Sequence, residues 1–242
     1  MAPLTTQLAE RIAAGEALDT EFDALLPSAA RHLSRQFWTP LGVGYQVAEW
    51  LELGGARSLL DVGSGVGKLC ACVALRSARS GRTPGLCVAG IEQRASLVAI
   101  AEQVAHDLEI QVNFTTARIT DTQYATPRDS RDGQAGKVQL AAADAYYLYN
   151  PFGENLTGAA PATTSAGAQH EGARPDHIDD EFQRDERAFL DSVRVTERLL
   201  QQARSGTHLI TFNGFGGVVP SAYDARALQR HGLSDLIWWT KR

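Results

Sequence analysis

The sequence reads as an α/β chain: a mostly parallel sheet with helices on both faces. Three features carry that reading. Residues 57–68, Arg-Ser-Leu-Leu-Asp-Val-Gly-Ser-Gly-Val-Gly-Lys, run from a short apolar strand through alternating glycines into a helical pattern that starts near Lys68. A second apolar strand, 85–91, ends against one acid, Glu92, and leads through Gln93 and Arg94 into a helix over 96–108. Further short strands, an alternating one at 111–116 and others at 143–149 and 207–213, follow among loops and helical stretches.

The elements follow in order. Residues 3–34 are expected to form a small helical cap, with Leu8, Ile12, Phe22, Leu25 and Leu26 as apolar stripes broken near Gly15 and Pro27. Phe37-Trp38-Thr39-Pro40 opens a helix over 41–53, with Pro tolerated in the first turn. That helix places Val43, Val47, Trp50 and Leu51 on one face, and Gly54-Gly55 stops it. The chain thus divides into an N-terminal segment, 1–53, and a core, 54–242, the core carrying a polar loop at 126–137 and an Ala/Gly/Thr/Pro-rich insertion at 156–178. A helix is expected over 179–204 and a glycine-rich loop at 214–217. Residues 223–241 read as a strand pair turning at His231-Gly232-Leu233-Ser234, with a helix at 221–231 as the competing reading.

The glycine spacing separates nucleotide-binding relatives. A P-loop needs G-x-x-x-x-G-K-[ST], but Val62 stands five before Gly67 and Leu69 follows Lys68. A dinucleotide fingerprint needs G-x-G-x-x-G, whereas Gly63, Gly65 and Gly67 alternate, with Asp61 two residues before the first. The pattern D-x-G-x-G-x-G resembles motif I of the class I (Rossmann-like) S-adenosylmethionine-dependent methyltransferases, and Glu92 resembles motif II. In that family the turn wraps the methionine moiety and ribose, and an acid such as Glu92 accepts the ribose hydroxyls. Asp61-Val-Gly-Ser-Gly-Val-Gly-Lys with Gly90-Ile-Glu92 is also locally similar to Dot1-type lysine methyltransferases, without their basic extension.

The resemblance implies a seven-stranded sheet ending in an antiparallel pair, and S-adenosylmethionine as cofactor. It implies a pocket drawing on Trp38, Thr39, Asp61, Gly63, Ser64, Gly65, Gly67, Glu92, Gln93, Arg118, Ile119 and Asn150. Thr39-Pro40 resembles the Thr-Pro that precedes motif I near the S-adenosylmethionine carboxylate in amino-methylating enzymes; a plain helix cap is the alternative. Where many members carry an acid for the adenine, Arg118 stands here, leaving Ile119 to pack on the ring. Asn150-Pro151-Phe152 is similar to motif IV, [DNS]-P-P-[YFW], with one Pro instead of two. It makes Asn150 the expected acceptor-orienting residue, with Tyr149 and Phe152 as apolar walls; closing the cofactor pocket, or a turn with Phe152 in the core, are the other readings. The implied activity is methyl transfer to a small-molecule or protein acceptor. The rivals are a non-catalytic binding module on the same fold and a nicotinamide-dependent oxidoreductase.

Composition narrows the partners. The net charge of −5 without a basic stripe makes a poor nucleic-acid binder. No apolar run approaches the roughly 18 residues of a membrane span, and no secretory signal is read at the N-terminus. Cys70, Cys72 and Cys87 read as small core residues, which suits a reducing cytoplasm. His170 and His177 stand near Asp176, Asp179 and Asp180, but without ligand spacing, so no metal is expected.

Overall fold

The computed structural model describes residues 4–81, 85–124, 138–140, 142–149 and 186–242. Four short helices come first: α1 (Leu4–Ala14), α2 (Asp19–Asp23), α3 (Ser28–His32) and α4 (Ser34–Phe37). They lead to α5 (Leu41–Leu53), β1 (Ser58–Val62), α6 (Lys68–Arg79), β2 (Cys87–Glu92), α7 (Ala95–Asp107) and β3 (Asn113–Thr116). After a 3-10 turn at Ile119–Asp121 come β4 (Thr122–Tyr124), β5 (Val138–Leu140), β6 (Ala145–Tyr149), α8 (Glu186–Gln202), β7 (His208–Phe212), β8 (Tyr223–His231) and β9 (Ser234–Lys241).

Seven strands form one sheet in the order β3-β2-β1-β6-β7-β9-β8. The first five are parallel; β9 runs antiparallel to β7 and pairs antiparallel with β8. β1, β6 and β7 lie in the middle and are mostly apolar and buried on both faces, with Asp61, His208 and Thr211 as buried polar exceptions. On one face α8 packs Phe189, Val193, Leu199 and Leu200 over Leu60, Leu148 and Leu209. On the other, α5 and α6 pack Val43, Val47, Leu69 and Val73 over Leu59, Tyr147 and Ile210. The N-terminal helices extend this second layer: Ile12, Phe22 and Leu26 share a cluster with Val66, Cys72 and Leu97. At the far edge, β8 carries a bulge between Ala225 and Ala227 and exposed Asp224, Arg226 and Arg230, which discourage further strand pairing.

The hairpin reading of 223–241 is correct, and the helix alternative is not. Some boundaries differ for physical reasons. β2 begins at Cys87 because that is where pairing to Ser58 begins, so Glu92 is its last residue instead of lying beyond it. β3 is shorter than the alternating run because only Asn113–Thr116 faces Ala89–Glu92. Cys70 and Cys72 are buried as expected, but Cys87, at the open start of β2, is exposed. The parallel pair β4–β5 was not foreseen from the sequence. The polar loop at 126–137, the insertion at 156–178 and the His/Asp group at 170–180 lie outside the described residues. Among those described, no helix is long and apolar enough to cross a membrane.

Candidate donor site

β1 and β6 are neighbours, yet the chain proceeds from β1 toward β3 and from β6 toward β7 in opposite directions. The crevice at such a switch point, beyond the strand C-termini, is where α/β sheets bind ligands. The glycine turn sits there. The N–H groups of Gly63 and Ser64 both donate to the Ile91 carbonyl, at 2.9 and 3.0 Å, which pins the turn to β2. Gly63 is exposed, whereas Gly65 and Gly67 are buried.

Gly65 (φ +52°) has a second reason to lack a side chain. A Cβ there would lie 2.7 Å from Cζ3 of Trp38. Gly67 (φ +74°) caps α6 and would meet Phe114 at 2.7 Å. Gly65→Ala combines backbone strain with displacement of a buried indole, each on the order of 1–3 kcal/mol. Its urea midpoint should fall clearly below that of the parent, and an unchanged midpoint would mean that Trp38 does not pack on the turn.

Two acids flank the turn. Glu92 is 3% exposed. Its Oε2 accepts the Gly65 N–H at 3.1 Å, and its Oε1 accepts the Arg94 N–H and Nε–H at 3.0 Å each. Of roughly four acceptor directions on a carboxylate, Oε2 keeps one for a ligand hydroxyl. Asp61 is also 3% exposed and accepts the Cys70 S–H at 3.4 Å. Burial pushes its carboxyl up to about 7; the Cys70 bond opposes the rise and the neighbouring Glu92 charge adds to it. The Cys70 thiol is itself pushed well up by burial and by Asp61.

The wall on the β6 side comes from the N-terminal segment. Trp38 lies against Gly65 and donates through Nε1 to the Ala30 carbonyl at 3.0 Å. Thr39 does not cap α5. Its Oγ1 lies 3.0 Å from the Tyr147 hydroxyl, while the first N–H of the helix, on Leu41, is capped by Asp19 Oδ1 at 2.9 Å. Pro40 stands just outside the helix. A void of about 20 Å³, enough for one water, remains between Trp38, Thr39, Asp61, Ser64 and Tyr149. Tyr149 ends β6, its ring 4.8 Å from that of Phe212.

The structure therefore brings together Trp38, Thr39, Asp61, Gly63, Ser64, Gly65, Gly67, Glu92 and Tyr149. Gln93 and Arg118 are exposed past the ends of β2 and β3, while Ile119 is buried in the core with Val62 and Ile91. Asn150 and Phe152 lie outside the described residues. Sequence reasoning missed Arg94, Cys70, Tyr147 and Lys68. Only Lys68 left a trace, as a lone cation at the head of an apolar helix face. Among the described residues, no group of three or more His, Cys, Asp or Glu side chains could hold a metal.

A family model described as protein-L-isoaspartate(D-aspartate) O-methyltransferase matches residues 39–153. No curated protein matches the sequence. Similar solved structures include the methyltransferase yhhF of Escherichia coli, 9% identical over 82% of this chain and 84% of that one, with a TM-score of 0.47. Mitomycin 7-O-methyltransferase MmcR is 14% identical over 98% and 66%, with a TM-score of 0.48. The O-methyltransferase NcsB1 of neocarzinostatin biosynthesis is 14% identical over 97% and 67%, with a TM-score of 0.45. With its strand order, its D-x-G-x-G-x-G turn at the switch point and the family match across that turn, the chain has a Rossmann-like methyltransferase fold, and residues 39–153 are similar to a methyltransferase family.

Proposed function

We propose that the protein transfers a methyl group from S-adenosylmethionine to a small-molecule or protein acceptor. The observation that carries this reading is the coupling of the glycine turn to Glu92 through the Gly65 N–H. One carboxylate both shapes the turn and retains an acceptor direction for a ribose hydroxyl. The surroundings fit such a ligand: Gly63 exposes backbone at the strand end, and the Ser64 hydroxyl is buried with no hydrogen-bond partner among the described residues.

When bound, S-adenosylmethionine supplies an electrophilic methyl on a sulfonium, whose sulfur keeps the electron pair of the broken bond as the acceptor's lone pair forms the new one. The protein's part is placement, and holding two reactants in line can supply roughly 7–11 kcal/mol. Glu92 holds the ribose on the β2 side. Trp38 and Thr39 close the β6 side, and a Trp face near a cation contributes about 0.5–2 kcal/mol. Tyr149 forms an apolar wall where β6 ends. Asn150, next in sequence, takes the acceptor-orienting role on the strength of its motif.

Thermal unfolding with S-adenosylhomocysteine, S-adenosylmethionine and NAD tests the reading. At about 100 times Kd a ligand adds roughly 2.7 kcal/mol, which raises the midpoint of a chain this size by about 5–10 °C. Both adenosyl ligands should produce that shift and NAD should not. No shift at millimolar adenosyl ligand would overturn the proposal. A shift without turnover on any acceptor would favour the non-catalytic module.

A further inference from the structure

Lys68 is the first residue of α6, directly after the glycine turn, and only 2% exposed. A charge in such a place is tolerated only with partners, and among the described residues every partner comes from the N-terminal segment. Lys68 Nζ lies 2.6 Å from Asp19 Oδ1 and donates to Asp23 Oδ1 at 2.9 Å and to Ser34 Oγ at 3.3 Å. It also sits 5.4 Å from the centre of the Phe22 ring. Two carboxylates already more than balance its charge, so it has none to spare for a ligand.

Its effect is transmitted. The Asp19 Oδ1 that meets Lys68 is the same atom that accepts the Leu41 N–H. One oxygen thus joins the head of α6 to the head of α5. The residues just before that second point are Trp38, packed on Gly65, and Thr39, paired with Tyr147. Glu92 lies on β2 and Tyr147 on β6, on opposite sides of β1. A donor whose ribose rests at Glu92 therefore extends its amino-acid end toward the Trp38–Thr39 wall.

We propose that Lys68 is a positioning residue of the donor site: through Asp19 and Asp23 it sets the Trp38–Thr39 wall against which the amino-acid end of the methyl donor binds. The proposal rests on the methyltransferase reading. It does not make Lys68 a contact residue.

The test compares S-adenosylhomocysteine with 5′-methylthioadenosine, which keeps the adenosine and thioether but lacks the amino-acid end, by titration calorimetry. In Lys68→Met, S-adenosylhomocysteine should bind roughly tenfold or more weakly, while 5′-methylthioadenosine stays within about twofold of the parent. The double variant Asp19→Asn/Asp23→Asn should repeat the pattern with the turn and α6 untouched, and it decides the matter if Lys68→Met does not fold. General loosening of the fold would weaken both ligands alike, so equal losses, or none, overturn the positioning role alone. Parent protein that binds neither ligand overturns the methyltransferase reading, and this proposal with it.

Discussion

Glu92→Ala should lower the unfolding midpoint of the ligand-free protein by roughly 6–20 °C. Glu92 and Arg94 are 3% and 7% exposed and share a 3.0 Å contact. Removing one partner of a buried pair costs about 3–5 kcal/mol, here through loss of the Oε1 that accepts both the Arg94 N–H and its Nε–H, and each kcal/mol moves the midpoint of a chain this size by roughly 2–4 °C. The Gly65 N–H loses its acceptor as well. A loss of ligand binding in Glu92→Ala is therefore ambiguous. Glu92→Gln keeps the volume and an acceptor oxygen for Gly65, and is the variant in which weaker binding of S-adenosylhomocysteine reports on the ribose contact. An Ala variant that melts within about 2 °C of the parent would show that the pair is not buried as described.

This linkage marks the boundary of what the sequence reveals. The runs of β1, β6 and β7 declare themselves because a parallel strand covered on both faces is mostly apolar, and a lone acid such as Asp61 stands out within one. The turn declares itself because positive φ at alternate residues selects glycine. The terminal hairpin is legible from its His231-Gly232 break. What the spacing could not reveal is pairing across elements. Trp38 read as a ligand residue, but nothing in its own segment says that it packs on Gly65. Lys68 read as the start of a helix, and its partners lie in α2, far upstream. Thr39 read as a helix cap or a ligand contact, whereas Asp19 does the capping and Thr39 faces Tyr147. Periodicity reports which side of an element is buried, not what it is buried against.

Asp61 makes the second large prediction, because its position works against stability. In the unfolded chain its carboxyl titrates near 3.8; in the folded protein burial holds it at about 7. Between those values the folded state keeps a proton that the unfolded state has released, so unfolding free energy falls as pH rises through this window and levels off above it. With about 1.4 kcal/mol per unit, the cost at pH 8 is at most on the order of 4 kcal/mol. Asp61→Asn has the same shape and no charge to bury. Urea unfolding of the pair should give nearly equal stabilities at pH 4 and an advantage for the variant that grows toward pH 8. A difference that does not change with pH would mean that Asp61 is ionised throughout. A folded protein keeps such a destabilising acid where the charge serves a ligand. A sulfonium or ammonium bound beside the turn favours the ionised carboxylate, so donor affinity in the parent should rise from pH 6 to pH 8, and that rise should be missing in Asp61→Asn. The variant that is more stable without ligand is then the one that gains less from binding it, which separates a residue retained for the site from one retained for the fold.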